Sequence, residues 1–100
     1  MSIYLVAQVD IQDKEAFLVY QNTVLPLFEE KQIEVLAVDD RPVTIEGEET
    51  GKRMAIVRFD DREAFDAFWQ SAEYQEMIKI RWNSTDSTIN LLQEENILVK

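Results

Sequence analysis

Three features of the sequence predict an α+β fold with ferredoxin-like βαββαβ topology, an antiparallel sheet carrying helices on one face. The apolar period switches between alternation and steps of three or four residues in the order strand, helix, strand, strand, helix, strand. Turn formers and helix caps fall between these segments. The strands are also apolar on both faces, more than one layer of helices can cover.

"SIYLVAQVD" is rich in β-branched and aromatic residues, so Ser2–Val9 reads as the first strand. Its Ile3, Leu5, Ala7 and Val9 point one way, and Tyr4, Val6 and Gln8 the other. In "DKEAFLVYQNTVLPLFEEK" the period changes, and Phe17, Tyr20, Val24 and Leu27 make one helical stripe. Asp13 is placed to cap the first turn, and Pro26 is expected to kink or shorten the last turns. Ile33–Asp39 is the second strand, with Ile33, Val35 and Ala37 set against Leu36 and Val38. Pro42, Gly47 and Gly51 then mark a turn, a short edge strand at Val43–Ile45 and an acidic loop.

Lys52–Phe59 is the third strand, where Ala55, Val57 and Phe59 oppose Met54, Ile56 and Arg58. Asp60 and Glu63 have capping-box spacing for a helix from Asp61 to about Gln70. Ser71 suits the N-cap of a further helix from Ala72 to about Arg81, with Glu73 against its dipole. "NSTDS" reads as a loop, Thr88–Gln93 as the last main strand, and Asn96–Val99 as a short terminal strand. The 100 residues form a single domain, 1–100, without repeats or linkers.

Composition excludes several chemistries. There is no cysteine and no histidine, which removes thiolate nucleophiles, the usual neutral-pH base and the commonest metal ligand. The adjacent pairs Asp39-Asp40 and Asp60-Asp61 point to opposite sides and form no dyad, and no calcium-loop spacing is present; neither metal nor cofactor is expected. A formal net charge of −10 repels phosphate backbones and anionic lipid surfaces, so neither nucleic acid nor membrane is an expected partner. No run approaches the roughly 20 apolar residues of a membrane span, and a cytoplasmic protein is the expectation.

The sheet face away from the helices needs a cover. Tyr4, Val6, Leu36, Val38, Met54, Ile56 and Arg58 are assigned to it, and a homodimer stacking two such faces is inferred. Arg58, a charge in an apolar strand, is expected to pair with a carboxylate across that interface. A second cluster lies in "WQSAEYQEMIKIRW". Trp69, Tyr74 and Arg81, with Tyr20 from the first helix, are candidates for a ligand site between sheet and helices. Arg81 follows Tyr74 by two helical turns, so the two share a face. The simpler reading makes the rings core and pairs Arg81 with one of the many carboxylates.

The segment Phe68-Trp69-Gln70-Ser71-Ala72-Glu73-Tyr74-Gln75 with Arg81, together with Asp10, Phe17, Tyr20, Pro26, Glu46-Gly47 and Val57-Arg58-Phe59-Asp60-Asp61, resembles the domain of unknown function numbered 1330. The resemblance covers most of the chain and implies a dimeric α+β barrel without assigning an activity. Where that family carries a Gly-Gly pair before the second strand, this chain has Glu30-Lys31-Gln32; where the family has Ser-Pro-Glu-Tyr, it has Ser71-Ala72-Glu73-Tyr74. The sequence thus predicts a small α+β-barrel homodimer in which any small organic ligand would lie between sheet and helices. Its alternatives are a cofactor-independent oxygenase or isomerase acting on a small organic substrate, and an acidic protein-interaction module.

Overall fold

Strand β1 (Ile3–Ile11) forms the middle of the sheet in a computed structural model that describes residues 1–93. On one side it pairs along its whole length with β4 (Thr85–Gln93), and on the other with β3 (Arg53–Phe59). Strand β2 (Glu34–Asp39) flanks β3, every pairing is antiparallel, and the order is β2-β3-β1-β4. Helix α1 (Lys14–Glu30) connects β1 to β2, while α2 (Arg62–Trp69) and α3 (Ala72–Ser84) connect β3 to β4. This is the ferredoxin-like α+β arrangement. The expected strand at Asn96–Val99 lies outside the described residues.

The inward side of β1, Ile3, Leu5, Ala7 and Val9, is buried with Val57 and Phe59 of β3. Against it α1 sets Phe17, Tyr20, Val24 and Leu27, α2 sets Phe65 and Phe68, and α3 sets Tyr74 and Ile78. Each large apolar side chain so buried contributes about 1.5–3 kcal/mol, so packing against the sheet rather than helix propensity holds this layer. That packing explains Pro26. The proline removes one donor, yet α1 continues past it to Glu30 because Val24 and Leu27 anchor the turns on either side.

The caps are local and clear. Asp13 accepts the Ala16 N–H at 3.1 Å, and the Gln12 and Asp13 N–H groups both donate to the Ser84 carbonyl at the end of α3. Helix α2 begins one residue later than expected: Asp61, in extended backbone, accepts the Ala64 N–H at 2.8 Å. Asp60 is the link from β3 and turns to Arg58 instead. No loop separates α3 from β4. The Ser84 hydroxyl donates to Ile80 O and the Thr85 hydroxyl to Arg81 O, both at 2.7 Å, so the last turn is satisfied and the strand starts at once. No strand forms at Val43–Ile45; the side chains at its ends are 81% and 91% exposed, and no strand of the described residues lies beside it to bond.

Strand β2 carries a β-bulge. Val35 pairs with Val57, but Ala37 pairs with Ile56 and Val38 with Ala55, leaving Leu36 as the extra residue. Alternation beyond the bulge is therefore inverted. Val38 joins Val35 on the helix side of the sheet instead of facing away with Leu36, as simple alternation had placed it.

Helix α1 ends in a Schellman motif: the Ile33 N–H donates to Phe28 O at 2.8 Å and the Gln32 N–H to Glu29 O at 3.2 Å. The motif needs a left-handed residue, and Gln32 supplies it at φ 58°. This is the turn where the resembling family carries glycines. Gln32→Gly is expected to raise unfolding free energy by about 0.5–1 kcal/mol, measured by urea denaturation. A loss of stability would refute this account of the turn.

Candidate functional site

Helix α2 stops and α3 starts at Ser71, and this break aims the site. The Ser71 hydroxyl donates to Phe68 O at 2.7 Å and accepts the Tyr74 N–H at 3.2 Å. The Gln75 side-chain amide also donates to Trp69 O at 2.6 Å, tying the two helices together. Tyr74 is thereby held against Phe68, with ring centroids 4.3 Å apart, and against Trp69 at 5.2 Å. Two turns further along α3, Arg81 comes up under α1.

Tyr20, Tyr74 and Arg81 meet in the interior. The two phenol oxygens are 2.9 Å apart, with the rings edge to face at 6.5 Å. The Arg81 guanidinium carbon lies 6.0 Å from the centre of the Tyr20 ring. Burial, first, and then the Tyr74 hydroxyl push the Tyr20 phenol well above its ordinary range; the neighbouring Arg81 pulls less strongly the other way. Arg81 itself is only 5% exposed. The expected salt bridge from Arg81 is absent: no carboxylate pairs with it among the described residues, and its buried Nε has no hydrogen-bond partner. An uncompensated buried cation is costly, and ring contact offsets only part of that cost.

A cavity of about 110 Å³ adjoins this group between sheet and helices. Tyr20, Tyr74 and Arg81 line it, and most of the remaining wall is apolar, from Leu5, Ala7 and Val57 on the sheet to Val24 on α1. Its exposed lining residues are Leu25 on α1 at 45% and Val35 and Val38 on β2 at 36% and 45%, so it opens between those two elements. The β2 bulge therefore builds half the mouth.

Trp69 does not line this cavity. It stacks on Phe65 at 5.5 Å and backs Tyr74, so its place is support for the tyrosine. Trp82, the other tryptophan of the segment, is exposed. Two polar lining residues were missed by the sequence reading, Gln21 and Arg53. Arg53 donates to Gln21 Oε1 at 2.6 Å, pairs with Asp40 and lies over the Phe17 ring at 5.4 Å. Alternation gave a usable signal, since Arg53 shares the inward side of β3 with Ala55 and Val57.

On the outer sheet face Tyr4 stands opposite Arg58, Val6 opposite Ile56, and Gln8 opposite Met54. Arg58 is already paired within the chain: it donates to Asp60 and to the Ser2 hydroxyl at 3.1 Å, with Glu34 at 3.8 Å. The acidic pairs are likewise engaged, Asp39 by the Arg41 N–H, Asp40 by Arg53, Asp60 by Arg58 and Asp61 as a cap. No helix of the described residues is long and apolar enough to cross a membrane.

The ferredoxin-like topology agrees with the comparisons. The sequence model of the domain of unknown function DUF1330 matches residues 2–94, and the chain belongs to that family. No curated protein matches the sequence. A protein of unknown function from Rhodopseudomonas palustris superposes with TM-score 0.79 at 18% identity, over 95% of this chain and 83% of that one. A dimeric ferredoxin-like protein of unknown function from a Jannaschia species gives TM-score 0.77 at 11% identity, over 94% and 100%. SnoaB, a cofactor-independent oxygenase from Streptomyces nogalater, gives TM-score 0.66 at 11% identity, over 99% and 98%.

The buried phenol makes a pH signature. The folded state resists ionising Tyr20, whereas the unfolded chain ionises it near its ordinary value. Stability is therefore unaffected by this group below about pH 10 and falls as pH rises beyond it. Tyr20→Phe is expected to flatten that alkaline decline in thermal melts; an unchanged slope would count against a neutral buried Tyr20.

Proposed function

We propose that the protein is a soluble cytoplasmic homodimer that binds a small organic molecule between sheet and helices. The observation that carries the ligand reading is the cavity itself, with the Tyr20 and Tyr74 hydroxyls and the Arg81 guanidinium gathered at an otherwise largely apolar wall.

Two observations support the dimer. The outer face presents Tyr4, Val6, Met54, Ile56 and Leu92 on neighbouring strands without a covering layer among the described residues. The similar protein from the Jannaschia species is dimeric. Light scattering is expected to return twice 11.7 kDa at micromolar concentration. Ile56→Glu should shift it toward one chain while Lys14→Glu does not. A wild-type monomer overturns the sheet-stacking reading.

SnoaB supplies a specific reason to hold an enzymatic reading second. An oxygenase of that kind on this chain has to work with what the cavity offers. Among the described residues its ionisable lining groups are Tyr20, Tyr74, Arg53 and Arg81, with no carboxylate or histidine as a base. Burial raises the Tyr20 phenol further, which suits a hydrogen-bond donor better than a proton acceptor. Binding is therefore the reading best supported.

A thermal-shift screen of small alcohols, ketones, acids and amines tests it. At least one compound is expected to stabilise wild type, and Ala55→Leu, which grows into the cavity, is expected to erase that shift. A screen without any stabiliser ends the ligand reading.

A further inference from the structure

We propose that the ligand of this cavity is a small monocarboxylic acid with an apolar body no larger than a benzene ring, its carboxylate taken by Arg81 beside the Tyr20–Tyr74 hydroxyl pair. The inference rests on the ligand reading above and names the class of molecule for that site.

The donor pattern selects the head group. A guanidinium has only donors, and its Nε here has no acceptor. In the tyrosine pair one hydroxyl donates to the other, so one phenolic proton stays available for an outside acceptor. Burial disfavours the Tyr20 phenolate, so that hydroxyl stays neutral and the pair keeps its protons. The end of the cavity thus offers several donors and one positive charge. A carboxylate accepts through both oxygens and brings one negative charge. A neutral amide or ketone fills fewer of these donors and leaves the buried charge uncompensated.

The same count excludes multiply charged ligands. Arg53, the other cation on the wall, is already matched by Asp40 and bonded to Gln21. A phosphate dianion or a dicarboxylate would bury a second negative charge opposite Leu5, Val24 and Val57, at high cost. Those apolar walls favour a hydrocarbon body instead. Size bounds it: about 110 Å³ is less than the roughly 150 Å³ of an engineered apolar cavity that takes benzene, so the body is at most one ring or a short chain, with its far end in the open mouth.

The route is equally constrained. Since the exposed part of the lining is Leu25, Val35 and Val38, the acid enters between α1 and β2 with its carboxylate leading toward Arg81. The formal net charge of −10 gives the surface no attraction for an anion, so recognition depends on the desolvated guanidinium at the inner end.

Isothermal titration of the full chain with benzoate, benzamide, hexanoate and succinate tests the class. Benzoate or hexanoate is expected to bind at least roughly tenfold more tightly than benzamide or succinate, as for a charge-assisted contact in a dry site. Arg81→Met should remove that preference while leaving the circular dichroism spectrum unchanged. Arg81→Lys and Tyr74→Phe, which keep the volume nearly intact, should each weaken benzoate more than benzamide; they serve equally if Arg81→Met does not fold. Val38→Trp, at the mouth, should reduce binding of both. If benzamide binds wild type as well as benzoate does, the carboxylate assignment fails and the cavity reading stands. If the screen above finds a stabiliser but no monocarboxylate binds, the assignment fails alone. If nothing binds, both fail.

Discussion

The interaction on which the interior depends is the helix break at Ser71. One hydroxyl closes α2 through the Phe68 carbonyl and opens α3 through the Tyr74 N–H. Had the helix run straight through, Phe68, Trp69 and Tyr74 would have splayed around one axis. The break instead folds Tyr74 back against both rings and sends α3 across under α1, where Arg81 reaches Tyr20. The far end of α3 is pinned by the same economy: the Ser84 carbonyl receives two N–H groups from the start of α1. Both ends of α3 are thus held by short polar contacts.

The three arginines of the β3 and α3 region illustrate how differently one residue type is treated. Arg58 lies half-buried on the outer face and finds Asp60, Glu34 and Ser2. Arg53 sits at the edge of the cavity and finds Asp40 and Gln21. Arg81 is the deepest of them and has neither carboxylate nor an acceptor for Nε among the described residues. Leaving the most buried cation of the described residues without a carboxylate among them is an arrangement that core packing does not require. Packing alone would be served by methionine or leucine in that place, which is why the site reading rests on Arg81 more than on the aromatic rings.

Much of this was legible in the sequence. Alternation in β1 correctly divided Ile3, Leu5, Ala7 and Val9 from Tyr4, Val6 and Gln8, and the stripe Phe17, Tyr20, Val24 and Leu27 is the buried face of α1. Asp13 and Ser71 cap as their spacing implied. The misplacements share a cause: each depends on a neighbour distant in sequence. The bulge at Leu36 exists only in the pairing of β2 with β3, and it moves Val38 to the other face. Val43–Ile45 has strand composition but no partner strand. Asp60 and Asp61 are equally good caps by residue type, and the end of β3 decides between them.

By itself, then, the sequence determined the order of elements, the inward set on each regular segment and the absence of cysteine and histidine chemistry, because these follow from periodicity and residue type. It also placed Tyr74 and Arg81 on one face of one helix, a matter of helical geometry. Only the tertiary structure decided that Tyr20, from a helix 54 positions away, would meet Tyr74 hydroxyl to hydroxyl, and that no carboxylate among the described residues would follow Arg81 inward. Those outcomes turn on which helix crosses which and how deeply, quantities set by the packing of α1 and α3 on β1 and carried by no local pattern.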